Sequence, residues 1–242
     1  MHKEFHKWWS SNLDKEMDVV VYGHYGFSLL MFPTAGEDYL EYERCQLIDS
    51  ISHFINSGKC KVFSINSING ESWLRKNLSI EQKAIRHQQY NKYVIEEVVP
   101  FIFNHCNGHV PIITTGASLG AFLAANIFFQ RPDLFRGVIA MSGSYNLKYY
   151  ARGYYDENVF RNSPEDYLSN WNDEKMLNEI RKGKIVIAAG RGDYEDPTAS
   201  KRLSKVLSSK GIPHKLDLWG EDMPHDWPTW HKMLPYFLGT DF

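Results

Sequence analysis

The sequence predicts an α/β fold: one mostly parallel sheet, helices on both faces, and an antiparallel hairpin leading it. Three observations predict it. Short apolar runs alternate with helical patterns from about residue 28 to the end. One run, 109–116, is continuous rather than alternating, as a strand buried on both faces must be. No linker, repeat or low-complexity tract interrupts the series, so 1–242 reads as a single domain.

The runs 17–23 (MDVVVYG) and 28–33 (SLLMFP) are separated by a glycine-containing turn and read as two adjacent strands. Helical spacing then covers 38–56, and Gly58 ends it. KVFSIN (61–66) is the next strand. A long helical stretch runs from Ser79 to about Cys106, opened by the capping box of Ser79 and Gln82. HVPIITTG (109–116) leads into a helix over 117–132. GVIAMSG (137–143), KIVIAAG (184–190) and HKLDLWG (214–220) are three more strands. Helices over 197–210 and 227–238 complete the alternation. Residues 144–172 break the rhythm with many tyrosines and read as a cap-like insertion, or as an ordinary aromatic surface loop.

Bulk chemistry narrows the function classes. Net charge is −2, so no strong field favours nucleic acid or an anionic membrane surface. No run of apolar residues is long enough to span a bilayer, and the N-terminus lacks the apolar core of a secretory signal. Cys45, Cys60 and Cys106 form no CxxC pair, which suits free thiols in a reducing compartment. These features together predict a cytoplasmic location. No histidine or cysteine spacing suggests a metal site. The sequence leaves a homo-oligomer open.

The sharpest motif is Gly116-Ala117-Ser118-Leu119-Gly120, a G-x-S-x-G pattern where the buried strand meets a helix. A serine on such a turn projects its Oγ above the sheet, and the flanking glycines let strand and helix approach closely. Its activating base should follow the last strand. Of the histidines after Ser118, His214 starts a strand and His231 lies inside a helix. His225 alone sits in the loop after HKLDLWG. The acid that orients it should follow KIVIAAG, where Asp193, Glu195 and Asp196 compete. Asp193 is the first choice, three residues past the strand. Glu195 serves if the loop bulges, and Asp196 before Pro197 suits a helix cap. Oxyanion donors should be the backbone N–H of Leu119 and that of Thr34 or Ala35, in the loop after SLLMFP.

Three stretches, 29–38 (LLMFPTAGED), 114–145 (TTGASLGAFLAANIFFQRPDLFRGVIAMSGSY) and 210–238 (KGIPHKLDLWGEDMPHDWPTWHKMLPYFL), carry a family resemblance. They resemble the esterase branch of the α/β-hydrolase fold that includes esterase D (S-formylglutathione hydrolase), enterochelin esterases and mycolyltransferases. The resemblance implies hydrolysis of a small-molecule ester or thioester without a cofactor. It also implies that Ser118 and His225 hold the nucleophile and base positions. An acyltransferase on the same three residues, or a non-catalytic ligand-binding domain, are the alternatives. Trp73, Tyr149, Tyr154 and Tyr155 are candidates to line a pocket, with plain packing the equal alternative. Arg75 and Lys76 read as solvated surface.

Overall fold

The computed structural model describes all 242 residues apart from the side chain of Tyr149, so that pocket candidate lies outside the described residues. The chain forms one eight-stranded sheet in the order β1-β2-β4-β3-β5-β6-β7-β8. Its strands are β1 (Lys3–Ser10), β2 (Lys15–Tyr22), β3 (Phe27–Phe32), β4 (Cys60–Ile65), β5 (Ile112–Ala117), β6 (Gly137–Met141), β7 (Lys184–Ala189) and β8 (Lys215–Leu218). From β4 to β8 every pairing is parallel, while β1 with β2 and β2 with β4 are antiparallel.

The leading hairpin is therefore β1–β2, and the expected hairpin between 17–23 and 28–33 does not form. β4 lies between β2 and β3, with Val21 opposite Phe63 and Leu29 opposite Val62. β1 escapes an apolar-run search because it is an edge strand of mixed residues: exposed Lys3, Phe5, Lys7 and Trp9 alternate with the more buried Glu4, His6, Trp8 and Ser10.

The helices are α1 (Glu41–Arg44), α2 (Leu47–Ser50), α3 (Ser52–Asn56), α4 (Ile80–Tyr93), α5 (Val99–His105), α6 (Leu119–Gln130), α7 (Lys148–Ala151), α8 (Glu157–Arg161), α9 (Pro164–Asn170), α10 (Glu174–Lys182), α11 (Thr198–Ser209) and α12 (Trp227–Thr240). The helix expected over 38–56 is split into α1 to α3, with Gln46 in a left-handed conformation at the first break. The Ser79 capping box forms: Gln82 N–H donates to Ser79 Oγ at 3.1 Å, and Ser79 N–H to Gln82 Oε1 at 2.9 Å. A wide π turn over Val94–Val98 separates α4 from α5. Pro100 follows it and lacks the N–H that would continue a regular ladder. Residues 144–172 hold α7 to α9.

Strand alternation sends side chains into two cores. One face carries Leu30, Phe63, Ile112, Val138 and Ile187 against α4, α5, α6 and α11. The other carries Leu29, Val62, Ile113, Ile139 and Val186 against the α1–α3 segment and α12.

The turn from β5 into α6 brings two backbones into close approach. A Cβ on Gly120 would lie 2.2 Å from the Phe32 carbonyl oxygen and 2.8 Å from that of Pro33. Both obstacles are backbone atoms of β3's end and cannot swing aside. Gly120→Ala is expected to destabilise the fold by about 3 kcal/mol or more, read as a lowered midpoint in urea unfolding.

Candidate active site

Ser118 stands on that turn at the C-terminal edge of the sheet, with φ 55° and ψ −121°. A side-chain-bearing residue seldom takes such a backbone conformation, and holding it costs on the order of 1–3 kcal/mol. Two contacts impose it. Ser118 N–H donates to the Met141 carbonyl of β6 at 2.9 Å. The fully buried Tyr42 accepts from Ala117 N–H at 3.2 Å and donates to the Phe32 carbonyl at 2.5 Å, tying the turn to β3. Sequence reasoning missed Tyr42, because nothing local links a helix tyrosine to a strand end 75 residues later.

His225 lies in the loop between β8 and α12, as expected. Its backbone N–H donates to the Asp193 carbonyl at 2.9 Å. Its ring packs edge-on against Trp230, with centroids 5.3 Å apart. The other two histidines after Ser118 are engaged elsewhere. His214 Nε2 meets Ser204 Oγ at 2.7 Å, and His231 Nε2 meets the Cys45 carbonyl at 2.6 Å.

The acid facing His225 is Glu195, the alternative that required a bulged loop, and not Asp193. Glu195 Oε2 lies 3.3 Å from His225 Nδ1, and the Glu195 side chain is 2% exposed. Tyr194 takes a left-handed conformation, φ 61°, which turns the chain so that Glu195 points back under the sheet edge. Asp193 is exposed and meets the histidine only through its backbone carbonyl. Asp196 is exposed too and accepts from Thr198 N–H at 2.9 Å, a helix-capping contact.

Glu195 is itself held in place. Its Oε1 accepts from Ser142 Oγ and from Gly190 N–H, the latter at 3.3 Å. The Trp230 indole N–H donates to Ser142 Oγ at 3.0 Å. One chain of hydrogen bonds thus runs from α12 through the end of β6 to the carboxylate.

The loop after β3 separates its two oxyanion candidates. Thr34 N–H donates to Glu41 Oε2 at 2.8 Å, and Thr34 Oγ1 donates to Glu41 Oε1. Glu41 is 2% exposed, and burial raises its carboxyl pKa. Thr34 is therefore committed to Glu41 and is corrected as a donor. The N–H groups of Ala35 and Leu119 have no acceptor among the described residues. Leu119 opens α6, where unsatisfied N–H groups and a partial positive charge gather.

Ser118, Ser142, Tyr150, Glu195, Arg202 and His225 share a cleft of about 340 Å³. Arg202 Nε donates to the buried Glu165 at 3.0 Å. Of the other pocket candidates, Trp73 is buried and donates to His87 Nδ1 at 3.2 Å, whereas Tyr154 and Tyr155 are exposed. Arg75 and Lys76 are exposed, as expected. Among the described residues one group has metal-ligand spacing, Glu4, His6 and His105, with donor atoms within 4.8 Å of one another. It lies at β1 and α5, four strand spacings from β5 or about 19 Å. No helix is long and apolar enough to cross a membrane.

A sheet of this order, with a serine on a strained strand-to-helix turn at its C-terminal edge, defines the α/β-hydrolase class. Solved structures agree on the fold. A ferulic acid esterase superposes with a TM-score of 0.77 at 18% identity, over 98% of this chain and 96% of that one. S-formylglutathione hydrolase from Staphylococcus aureus gives 0.69 at 16%, over 99% and 98%. The fluorophosphonate-binding serine hydrolase F of Staphylococcus aureus gives 0.67 at 14%, over 98% and 97%. No curated protein matches the sequence. The chain belongs to the family described as "Putative esterase", whose model matches residues 61–239.

Proposed function

We propose that this chain is a serine esterase in which Ser118 attacks the acyl carbon, His225 moves the proton and Glu195 orients the imidazole. The observation that carries the reading is the buried Glu195 carboxylate facing Nδ1 of a histidine that shares its cleft with Ser118. A carboxylate there favours the tautomer with Nδ1–H, leaving Nε2 free to accept.

The chemistry balances in two steps. In acylation, His225 Nε2 takes the Ser118 hydroxyl proton as the oxygen bonds to the carbonyl carbon. The tetrahedral oxyanion is met by the N–H groups of Leu119 and Ala35. Its collapse breaks the bond to the leaving group, which departs with the proton from His225. In deacylation, water gives its proton to His225 and attacks the acyl carbon, and Ser118 recovers a proton as the acid leaves. Family membership supports water as the acceptor over a second alcohol.

The printed names of similar structures, ferulic acid esterase and S-formylglutathione hydrolase, support a small-molecule oxygen ester or thioester as substrate. The test uses p-nitrophenyl acetate and a fluorophosphonate probe on the purified protein. Expected are steady turnover and a single adduct that peptide mass spectrometry maps to Ser118. Turnover with the adduct on another residue would remove Ser118 from the mechanism.

A further inference from the structure

Strand alternation puts His2, Glu4 and His6 on one side of the N-terminal edge strand, and His105 at the end of α5 meets that side. His6 Nε2 and His105 Nε2 each lie 3.2 Å from the same oxygen, Glu4 Oε2. Donor atoms of Glu4, His6 and His105 all fall within 4.8 Å of one another. Two imidazole nitrogens and a carboxylate oxygen thus converge from a strand and a helix. Glu4 and His105 are 101 residues apart, so no spacing in the sequence announces the group.

The distances are those of a coordination shell. Ligands about 2.0–2.1 Å from a tetrahedral ion stand roughly 3.3–3.4 Å from each other, close to the two 3.2 Å edges. The rings are held: their planes stand at 85° with centroids 5.2 Å apart, and the Phe101 ring packs against both. His2 Nε2–H donates to the other carboxylate oxygen, Oε1, at 2.5 Å, an outer hydrogen bond of the kind that orients a ligating carboxylate. Hydrogen bonds from histidines, His2 first, hold the Glu4 carboxyl down at about 2, so it is ionised. Burial lowers the His105 pKa, with Glu4 opposing and Lys61 and His6 adding to the fall, so its ring is neutral and able to ligate. His105 Nδ1 is buried without a partner, whichever ring nitrogen carries the proton. The Glu4 and His6 side chains are 35% and 29% exposed, which gives an ion its way in.

We propose that Glu4, His6 and His105 bind a divalent first-row transition ion, Zn²⁺ in the first instance, with water completing the shell. Imidazole nitrogens select such ions over Ca²⁺ and Mg²⁺, whose shells are built of oxygen. On binding, each neutral ring carries its proton on Nδ1 and turns the Nε2 lone pair to the ion. The ion joins β1, an edge strand paired only with β2, to the helix end that covers it. The other end of β1 is already tied to the π turn, where Trp8 and Ser10 each donate to Glu97 at 2.8 Å. The site is a structural clamp, about 19 Å from β5, and it stands independently of the esterase reading.

Isothermal titration of the chelator-treated, tag-free, full-length protein with Zn²⁺ tests it. One saturable site is expected in wild type, with equal affinity in Ser118→Ala. Glu4→Gln and His6→Gln should each weaken binding at least about a hundredfold, since loss of a mere outer partner of a ligand already costs roughly 10–100-fold. His105→Gln should do the same. If that variant fails to fold, X-ray absorption of the Zn²⁺-loaded wild type counts the imidazoles instead, and two with no sulfur are expected. No saturable binding, unchanged affinity in a folded Glu4→Gln or His6→Gln protein, or a shell with sulfur or fewer than two imidazoles would overturn the proposal.

Discussion

Ser118→Ala is expected to lower kcat/KM for p-nitrophenyl acetate by about 10⁴–10⁶-fold while leaving the fold intact. The magnitude follows from the role. Without the hydroxyl no acyl-enzyme forms, and His225 with Glu195 has nothing to activate. What remains is the slow attack of water near the oxyanion donors. The stability side follows from the structure. Ser118 Oγ makes no hydrogen bond among the described residues, so its removal leaves no buried group unpaired. The change should stay within about 0.5 kcal/mol. Alanine keeps the Cβ and with it the strain at φ 55°. Ser118→Gly should be equally inactive but more stable than Ser118→Ala, since glycine occupies that conformation freely. Urea unfolding and ester turnover on the two variants check both halves. A residue of activity above one part in a hundred in Ser118→Ala would point to another nucleophile.

How far the sequence discloses this arrangement depends on whether the decisive contacts are local. β5 and the turn after it are legible because HVPIITTG lacks alternation and GASLG has the small residues that close packing requires. His225 is legible by elimination along the chain. The insertion of β4 between β2 and β3 is not, since pairing partners some forty residues apart leave no trace in either segment. β1 hides because both of its sides are mixed: Phe5 and Trp9 stand out beside Lys3 and Lys7, while Glu4 and His6 lie with Trp8 on the more buried side. The committed state of Thr34 is equally hidden: it depends on Glu41 folding back under the loop, seven residues on. The Ser142–Trp230 support of Glu195 spans 88 residues and offers no pattern to read.

Glu195→Gln is the second large effect, an expected loss of about 10⁴-fold in kcat with KM little changed. The substitution preserves size and leaves an oxygen able to accept from Ser142 and Gly190. It changes what faces His225. An amide nitrogen turned toward Nδ1 donates rather than accepts, so the ring is held with its proton on Nε2. That nitrogen then cannot accept the Ser118 proton, and the imidazolium formed during acylation loses the charge that stabilises it. The neighbouring acids give the contrast. Asp193→Asn keeps the backbone carbonyl that holds His225 N–H, and its side chain is exposed. Its rate should stay within about twofold of wild type, because an exposed charge at that remove is screened. Asp196→Asn disturbs a helix-capping contact and should cost at most about 1 kcal/mol of stability, with activity retained. Steady-state rates for the three variants under one set of conditions decide among the acids. An Asp193→Asn loss matching that of Glu195→Gln would mean that the loop rearranges when substrate binds, and would return the acid to Asp193.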